Sequence, residues 1–301
     1  MKKLIISVSV LLVGLCSLSL SAQEIQYEYS VWSGGGLGAL KYNVPSEIGE
    51  RSGKFGGDFG VGYTFFMLSD RVVESGKLYH LRWGIHTGIG FSFFSARTTI
   101  DNNTTFVETS GIKDSEGDDI VLRTTIFGFE ETQRTVMLTI PVMGTYHFDR
   151  YYANAGFKFG IPVGGNYESS FSSPTQQITN RAYYPRLNNE LVGPPFTGLG
   201  QQTPGNTDKT DMDFGVSMMF ALEAGSKWEI NKNLTLYYGI FLDIGLNDIS
   251  RFDDATPEFI QYNANPTTHM ATVSTNSVLS SLKEKTKTMA FGVKVRLGYI
   301  R

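Results

Sequence analysis

The chain has 301 residues, with 26 basic against 29 acidic side chains and a net charge of −3, a balance that speaks against nucleic acid as a partner. Its one cysteine, Cys16, excludes an intrachain disulfide and a thiolate metal site. No apolar run after residue 22 reaches the roughly 18 to 20 residues of a transmembrane helix, and 33 glycines with 13% aromatics but little helical periodicity point to an all-β chain.

The chain opens with Met1-Lys2-Lys3, an apolar run from Leu4 to Leu20 and then Ser21-Ala22, the order of a secretory signal. Cleavage is expected after Ala22, with a cut after Ser21 as the alternative. Leu15 stands where a lipidated Cys16 would need a small residue, which disfavours a lipoprotein. The expected organisation is a signal peptide over 1–22 and a single barrel domain over 23–301.

Eight strands follow from the alternation of residues. The first spans about Gln26 to Tyr42, the second Phe55 to Phe66, the third Leu78 to Thr99 and the fourth Ile120 to Phe148. Asp149-Arg150 turns the chain into the fifth, Tyr151 to Tyr167. The sixth runs from Met212 to Ile230, the seventh from Leu234 to Gly245 and the last from Met289 to Tyr299. Short connections alternate with long ones, the longest near 168–211 and 246–288. This is the rhythm of a transmembrane antiparallel up-and-down β-barrel with short periplasmic turns and long extracellular loops, and ribbons projecting beyond the membrane are expected within the long loops.

Each strand has two unlike faces. The last sets Phe291, Val293, Val295, Leu297 and Tyr299 against Gly292, Lys294, Arg296 and Gly298. The sixth sets Phe214, Val216, Met218, Phe220 and Leu222 against Gly215, Ser217, Ala221 and Glu223. An eight-stranded barrel has room inside only for its own side chains. The bulky apolar faces therefore point outward, where they need lipid, and a soluble barrel with the opposite polarity is the alternative. The same parity gathers Glu28, Asp58, Arg82, Lys158, Glu223, Lys227, Asp243, Lys294 and Arg296 in the lumen as an ion-pair network. Lys294 and Arg296 are expected opposite Asp243 and Glu28 of the flanking strands. Unpaired charges there cost several kcal/mol, so a polar plug is favoured over a gated conduction or proton path.

Chemistry beyond the plug is sparse. His147 and Asp149 share a strand face, but at a periplasmic turn, and His147 is taken as a girdle residue; His86 joins the lumen. Asp114 to Asp119 reads as an exposed acidic tip without the ligand spacing of a calcium loop. Gly34-Gly35-Gly36-Leu37-Gly38 has no helix after it and makes room for bulky lumen side chains or curvature rather than cradling phosphate. No catalytic residue, metal site or cofactor is expected. In the long loops Tyr183, Tyr184, Phe196, Phe252, Phe259 and Tyr262 form a candidate partner-binding surface, with packing of the loops themselves as the alternative.

The segments Ala182 to Leu191, Tyr237 to Asn247, Asn276 to Leu279 and Gly292 to Leu297, with Thr139 to Val142, resemble Bacteroidetes-type outer-membrane β-barrel proteins, a group similar to the N-terminal barrel of OmpA and to PorT-like proteins. The resemblance covers nearly the whole mature chain and implies the Gram-negative outer membrane, contact with its lipid and insertion by the barrel-assembly machinery. Its motifs are those of a barrel and carry no catalysis. The chain ends without the periplasmic peptidoglycan-binding domain that OmpA-like proteins often carry. The functional expectation is a non-enzymatic outer-membrane barrel with a plugged lumen and a structural or surface-display role, its loops meeting an extracellular ligand or an envelope protein. A narrow pore or a transport or secretion accessory is the alternative, ahead of a lipid or peptide hydrolase.

Overall fold

The computed structural model describes residues 25–300 apart from 75–76, 115, 252–257, 266–267 and 269. The expected signal peptide lies outside these residues. In chain order the strands are β1 (Ile25–Lys41), β2 (Gly49–Glu74), β3 (Lys77–Ile100), β4 (Thr104–Lys113), β5 (Asp119–Ile126), β6 (Phe129–Phe148), β7 (Tyr151–Phe171), β8 (Ile178–Tyr184), β9 (Asn189–Leu191), β10 (Gly200–Gln202) and β11 (Thr207–Asp211). They continue with β12 (Ser217–Glu229), β13 (Leu234–Gly245), β14 (Ile260–Ala264) and β15 (Ala271–Thr275), then a short helix α1 (Val278–Leu282), and end with β16 (Lys287–Ile300).

Eight of these strands close a ring in the order β1-β2-β3-β6-β7-β12-β13-β16, every neighbouring pair antiparallel. β16 returns to β1 over a continuous register from Glu28↔Ile300 to Lys41↔Lys287. The ring is a transmembrane β-barrel. The outward residues of β16 show why: Phe291, Val293, Val295 and Tyr299 are 50–64% exposed, while the alternate set from Ala290 to Arg296 is buried. A continuous apolar girdle of this kind is stable only against lipid.

Two features depart from the sequence reading. The fourth strand is broken at Gly128, whose φ of 61° favours glycine, so β5 leaves the barrel and joins another sheet. The sixth begins at Ser217, because the chain before it leaves the ladder: Gly215 N donates to Ile249 O at 2.6 Å and Phe214 bridges Ser250. Phe214, expected against lipid, is consequently 5% exposed inside the upper lumen.

The long outer loops do more than extend ribbons. β10-β8-β5-β4, with β9 on β8, make a separate sheet, and β14 and β15 form a hairpin. Their core of Ile100, Ile126, Phe129, Phe171, Ile178, Phe259, Ile260, Val273 and Val278 buries apolar surface outside the barrel, giving a folded extracellular cap. Beneath it Leu40, Phe94, Met137, Met219, Phe241 and Leu279 pack across the upper lumen. The inside is thus not only glycine and polar residues, as the volume argument had it. An apolar layer lies above a charged one.

Candidate functional site

The charged layer is built from the inward positions of strands around the whole ring. Lys158 of β7 places Nζ 2.5 Å from Asp243 Oδ2 and 3.5 Å from Asp58 Oδ2. Lys294 of β16 reaches Asp58 Oδ2 at 3.1 Å and Glu223 Oε2 at 3.4 Å. All five side chains are at most 8% exposed. The pairs run across the lumen: Lys294 stands beside Gly239 in the ladder, not beside Asp243, and finds its carboxylates on β2 and β12. Gly34 is what lets Asp58 in, since a Cβ there would sit 2.4 Å from Asp58 Oδ1. The glycine run was expected to make room for bulky lumen side chains or curvature; at Gly34 the space goes to a carboxylate.

Arg296 lies one inward step toward the periplasm. Its guanidinium stacks over Tyr237 at 4.3 Å and Tyr152 at 5.3 Å, and its Nη1 is 3.4 Å from His86 Nδ1. Glu28 accepts from Tyr237 Oη at 2.5 Å rather than pairing directly with Arg296. Trp32 covers the same region, and its indole would collide with a Cβ at Gly60 or Gly62 at 2.4 and 2.8 Å. His86 is in the lumen as expected, bonded to Thr64 Oγ1 at 2.8 Å. His147 is no girdle residue: it is 1% exposed and enclosed by Phe66 at 4.8 Å and Tyr237 at 5.5 Å. The remaining two members of the expected network stand apart. Arg82 and Lys227 line the periplasmic mouth, where Lys227 Nζ meets Glu229 Oε1 at 3.4 Å. The geometry thus brings together seven of the nine lumen residues and leaves Arg82 and Lys227 at the mouth, outside the ion pairs but within electrostatic reach of Glu28.

The six loop aromatics divide by environment. Phe259 is 2% exposed in the cap core and is not available to a partner. Tyr262 is half-buried and donates to Thr197 O at 2.7 Å, and Tyr183 lies under Arg123 at 4.1 Å, so both serve packing within the cap. Tyr184 is half-buried. Phe196 alone of the described five is open, at 58%. Phe252 lies outside the described residues. The acidic tip is spent on its own turn: Asp114 Oδ1 accepts from Glu116 N and Asp118 N, each at 2.9 Å, and Asp118 pairs with Arg186 at 2.7 Å. Among the described residues no group of three or more His, Cys, Asp or Glu side chains is placed to hold a metal.

Sequence reasoning missed one polar centre. Glu131, fully buried in the part of β6 that stands above the lipid-facing band, accepts from Gln133 Nε2 at 2.6 Å, Ser277 Oγ at 2.7 Å and Val278 N at 2.8 Å. Gln133 in turn accepts from Tyr42 Oη at 3.0 Å, and Tyr42 bonds Thr98. This chain of bonds fastens α1 to the barrel wall. The only sequence signal was parity, which puts residues 131, 133 and 135 on the inner face.

No family model and no curated protein matches the sequence. Among solved structures, two outer-membrane proteins are similar to it at low identity. One is Ail, the attachment invasion locus protein of Yersinia pestis, in complex with the heparin analogue sucrose octasulfate: 8% identity, 92% of this chain and 99% of that one covered, TM-score 0.29. Another is the outer membrane protease OmpT from Escherichia coli: 11% identity, 95% and 99% covered, TM-score 0.32. The eight-stranded antiparallel ring and its apolar outer girdle make the chain a transmembrane β-barrel. The expectation that it is not an enzyme is withdrawn, because a barrel fold by itself does not set catalysis aside.

Proposed function

We propose that the protein resides in the Gram-negative outer membrane and holds a folded cap outside the cell for contact with extracellular or envelope partners. The observation that carries this reading is the division of apolar residues in the cap. Its core is closed, yet its outer edge keeps Leu187, Leu191, Val192 and Phe196 51–61% exposed around the β8–β9 hairpin and the turn at Pro195–Thr197. Monomeric surfaces seldom leave such a group uncovered without use. The closed barrel beneath is a support, its lumen filled by the ion pairs and the apolar layer, which favours a plug over a pore or a secretion accessory. Export through a cleaved signal peptide over 1–22, a single domain over 23–301, insertion by the barrel-assembly machinery and membership of the Bacteroidetes-type group belong to the same proposal.

The test is adhesion of cells producing the protein to host-cell and extracellular-matrix surfaces. Replacing Leu191, Val192 and Phe196 with serine is expected to abolish adhesion while the barrel still assembles, and undiminished adhesion overturns display by this edge. In planar bilayers the protein is expected to stay closed; steady ion-selective openings would overturn the plug.

A further inference from the structure

The periplasmic end of the barrel carries a second assembly of charge, distinct from the paired network above it. A cavity of about 590 Å3 opens there, walled by Arg82, Arg150, Lys227, Asp149, Glu229, Trp228 and Tyr238. The three cations come from three elements: β3, the turn between β6 and β7, and β12. Lys227 N donates to Arg150 O at 2.7 Å, which ties the turn to β12 and fixes two of the cations relative to each other. Charge at this mouth is incompletely matched. Arg82 and Arg150 are in no ion pair within 4.0 Å among the described residues, and Lys227 has only Glu229, at 3.4 Å, whose side chain is 63% exposed. Asp149 is the one further carboxylate in the wall. The wall sets three cations against two loosely engaged carboxylates; the buried Glu28 above also acts on Arg82 and Lys227 but is already engaged by Tyr237 and Arg296, so the mouth stays positive.

The wall also joins two surfaces. Arg82 and Lys227 have inward parity, whereas Trp228 and Tyr238 point outward and are 68% and 51% exposed. Aromatic residues of this kind mark the depth of lipid headgroups. The cavity therefore runs from the lumen mouth to the headgroup level of the inner leaflet. Guanidinium and ammonium groups converging at that depth match a phosphate, with its several acceptor oxygens.

We infer that the periplasmic mouth binds a phosphate-bearing anion, the headgroup of an inner-leaflet phospholipid entering sideways past Trp228 and Tyr238 while its acyl chains stay on the apolar girdle. The experiment uses the full barrel in mixed micelles of phosphatidylglycerol and phosphatidylethanolamine, with retained lipid counted by native mass spectrometry. Inorganic phosphate is titrated calorimetrically into the lipid-free protein in parallel. The wild type is expected to retain phospholipid, and the Arg82→Gln/Arg150→Gln variant to retain about tenfold less. Heat-dependent electrophoretic migration reports whether each variant is folded, and Arg150→Gln alone, in an exposed turn, serves if the double variant is not. Phosphate binding that the variant loses, without retained lipid, supports the anion site and overturns the lipid as its source. Retention unchanged in the folded variants, or neither ligand binding the wild type, overturns the site.

Discussion

Replacing Glu131 probes how the cap is fastened. Its carboxylate is the common acceptor for Gln133 Nε2, Ser277 Oγ and Val278 N, and it has no exposure to water. Alanine at this position leaves three buried donors without an acceptor, at roughly 1–3 kcal/mol each. Relief of the buried carboxyl's desolvation offsets part of that loss, so the net cost to closure of the α1 segment is about 3 kcal/mol. Protonation of the native group moves the same equilibrium. Burial raises the Glu131 pKa from 4.5 to about 7. The closed form therefore holds a proton that an opened, solvated form releases between those values. Closure is favoured most below pH 4.5 and loses roughly 3 kcal/mol as the pH rises to 7. Hydrogen exchange over 277–282 reads this directly, with trypsin cleavage after the exposed Lys283 and Lys285 as a second probe. Glu131→Ala is expected to exchange about a hundredfold faster at pH 5, and wild-type protection to fall between pH 5 and 8 once intrinsic rates are removed. Equal protection in the variant, or protection that rises with pH, refutes the reasoning.

Lys294→Met leaves Glu223 without its cation and Asp58 with Lys158 alone in a closed lumen, and is expected to destabilise the barrel by about 3–5 kcal/mol in urea titrations; a change below about 1 kcal/mol would mean the pairs are solvated. Gly36→Ala puts a Cβ 2.3 Å from Phe291 O and 2.5 Å from Gly292 Cα, backbone that cannot give way, so the heat-modifiable folded band should disappear. Gly164→Ala, with no atom within 4 Å, should keep that band. Val293→Lys on the lipid face is expected to cost about 2–4 kcal/mol in vesicle folding assays, and a neutral result would dispute the placement of the girdle.

Parity made the barrel legible. A period of two survives tertiary context because an inward and an outward position meet opposite solvents, so Phe157 and Lys158 could be sorted without knowing their neighbours. Once the face was assigned by volume, the lumen charges followed. Parity says nothing about how charges pair across a lumen, which is why Lys294 was set against Asp243 and not against Asp58 and Glu223. It also fails where the ladder ends. Phe214 and the break at Gly128 lie at such ends, and the cap is made of strands too short to show a period, so Phe259 read as a loop aromatic when it is core. His147 shares its inward parity with Met143 and Thr145, and reading it as girdle let its nearness to the turn outweigh its face.

The seam between β1 and β16 sets an order of events. Its partners come from opposite ends of the chain, so the ring can shut only after every intervening hairpin is in place. Until then β1 and β16 each present an unpaired edge, the kind of template on which foreign strands add. The close approach of Gly36 to Gly292 makes the final step a zipper that tolerates no side chain at its middle. Whatever escorts this protein to the membrane must keep two edges apart from other strands and then release them to each other.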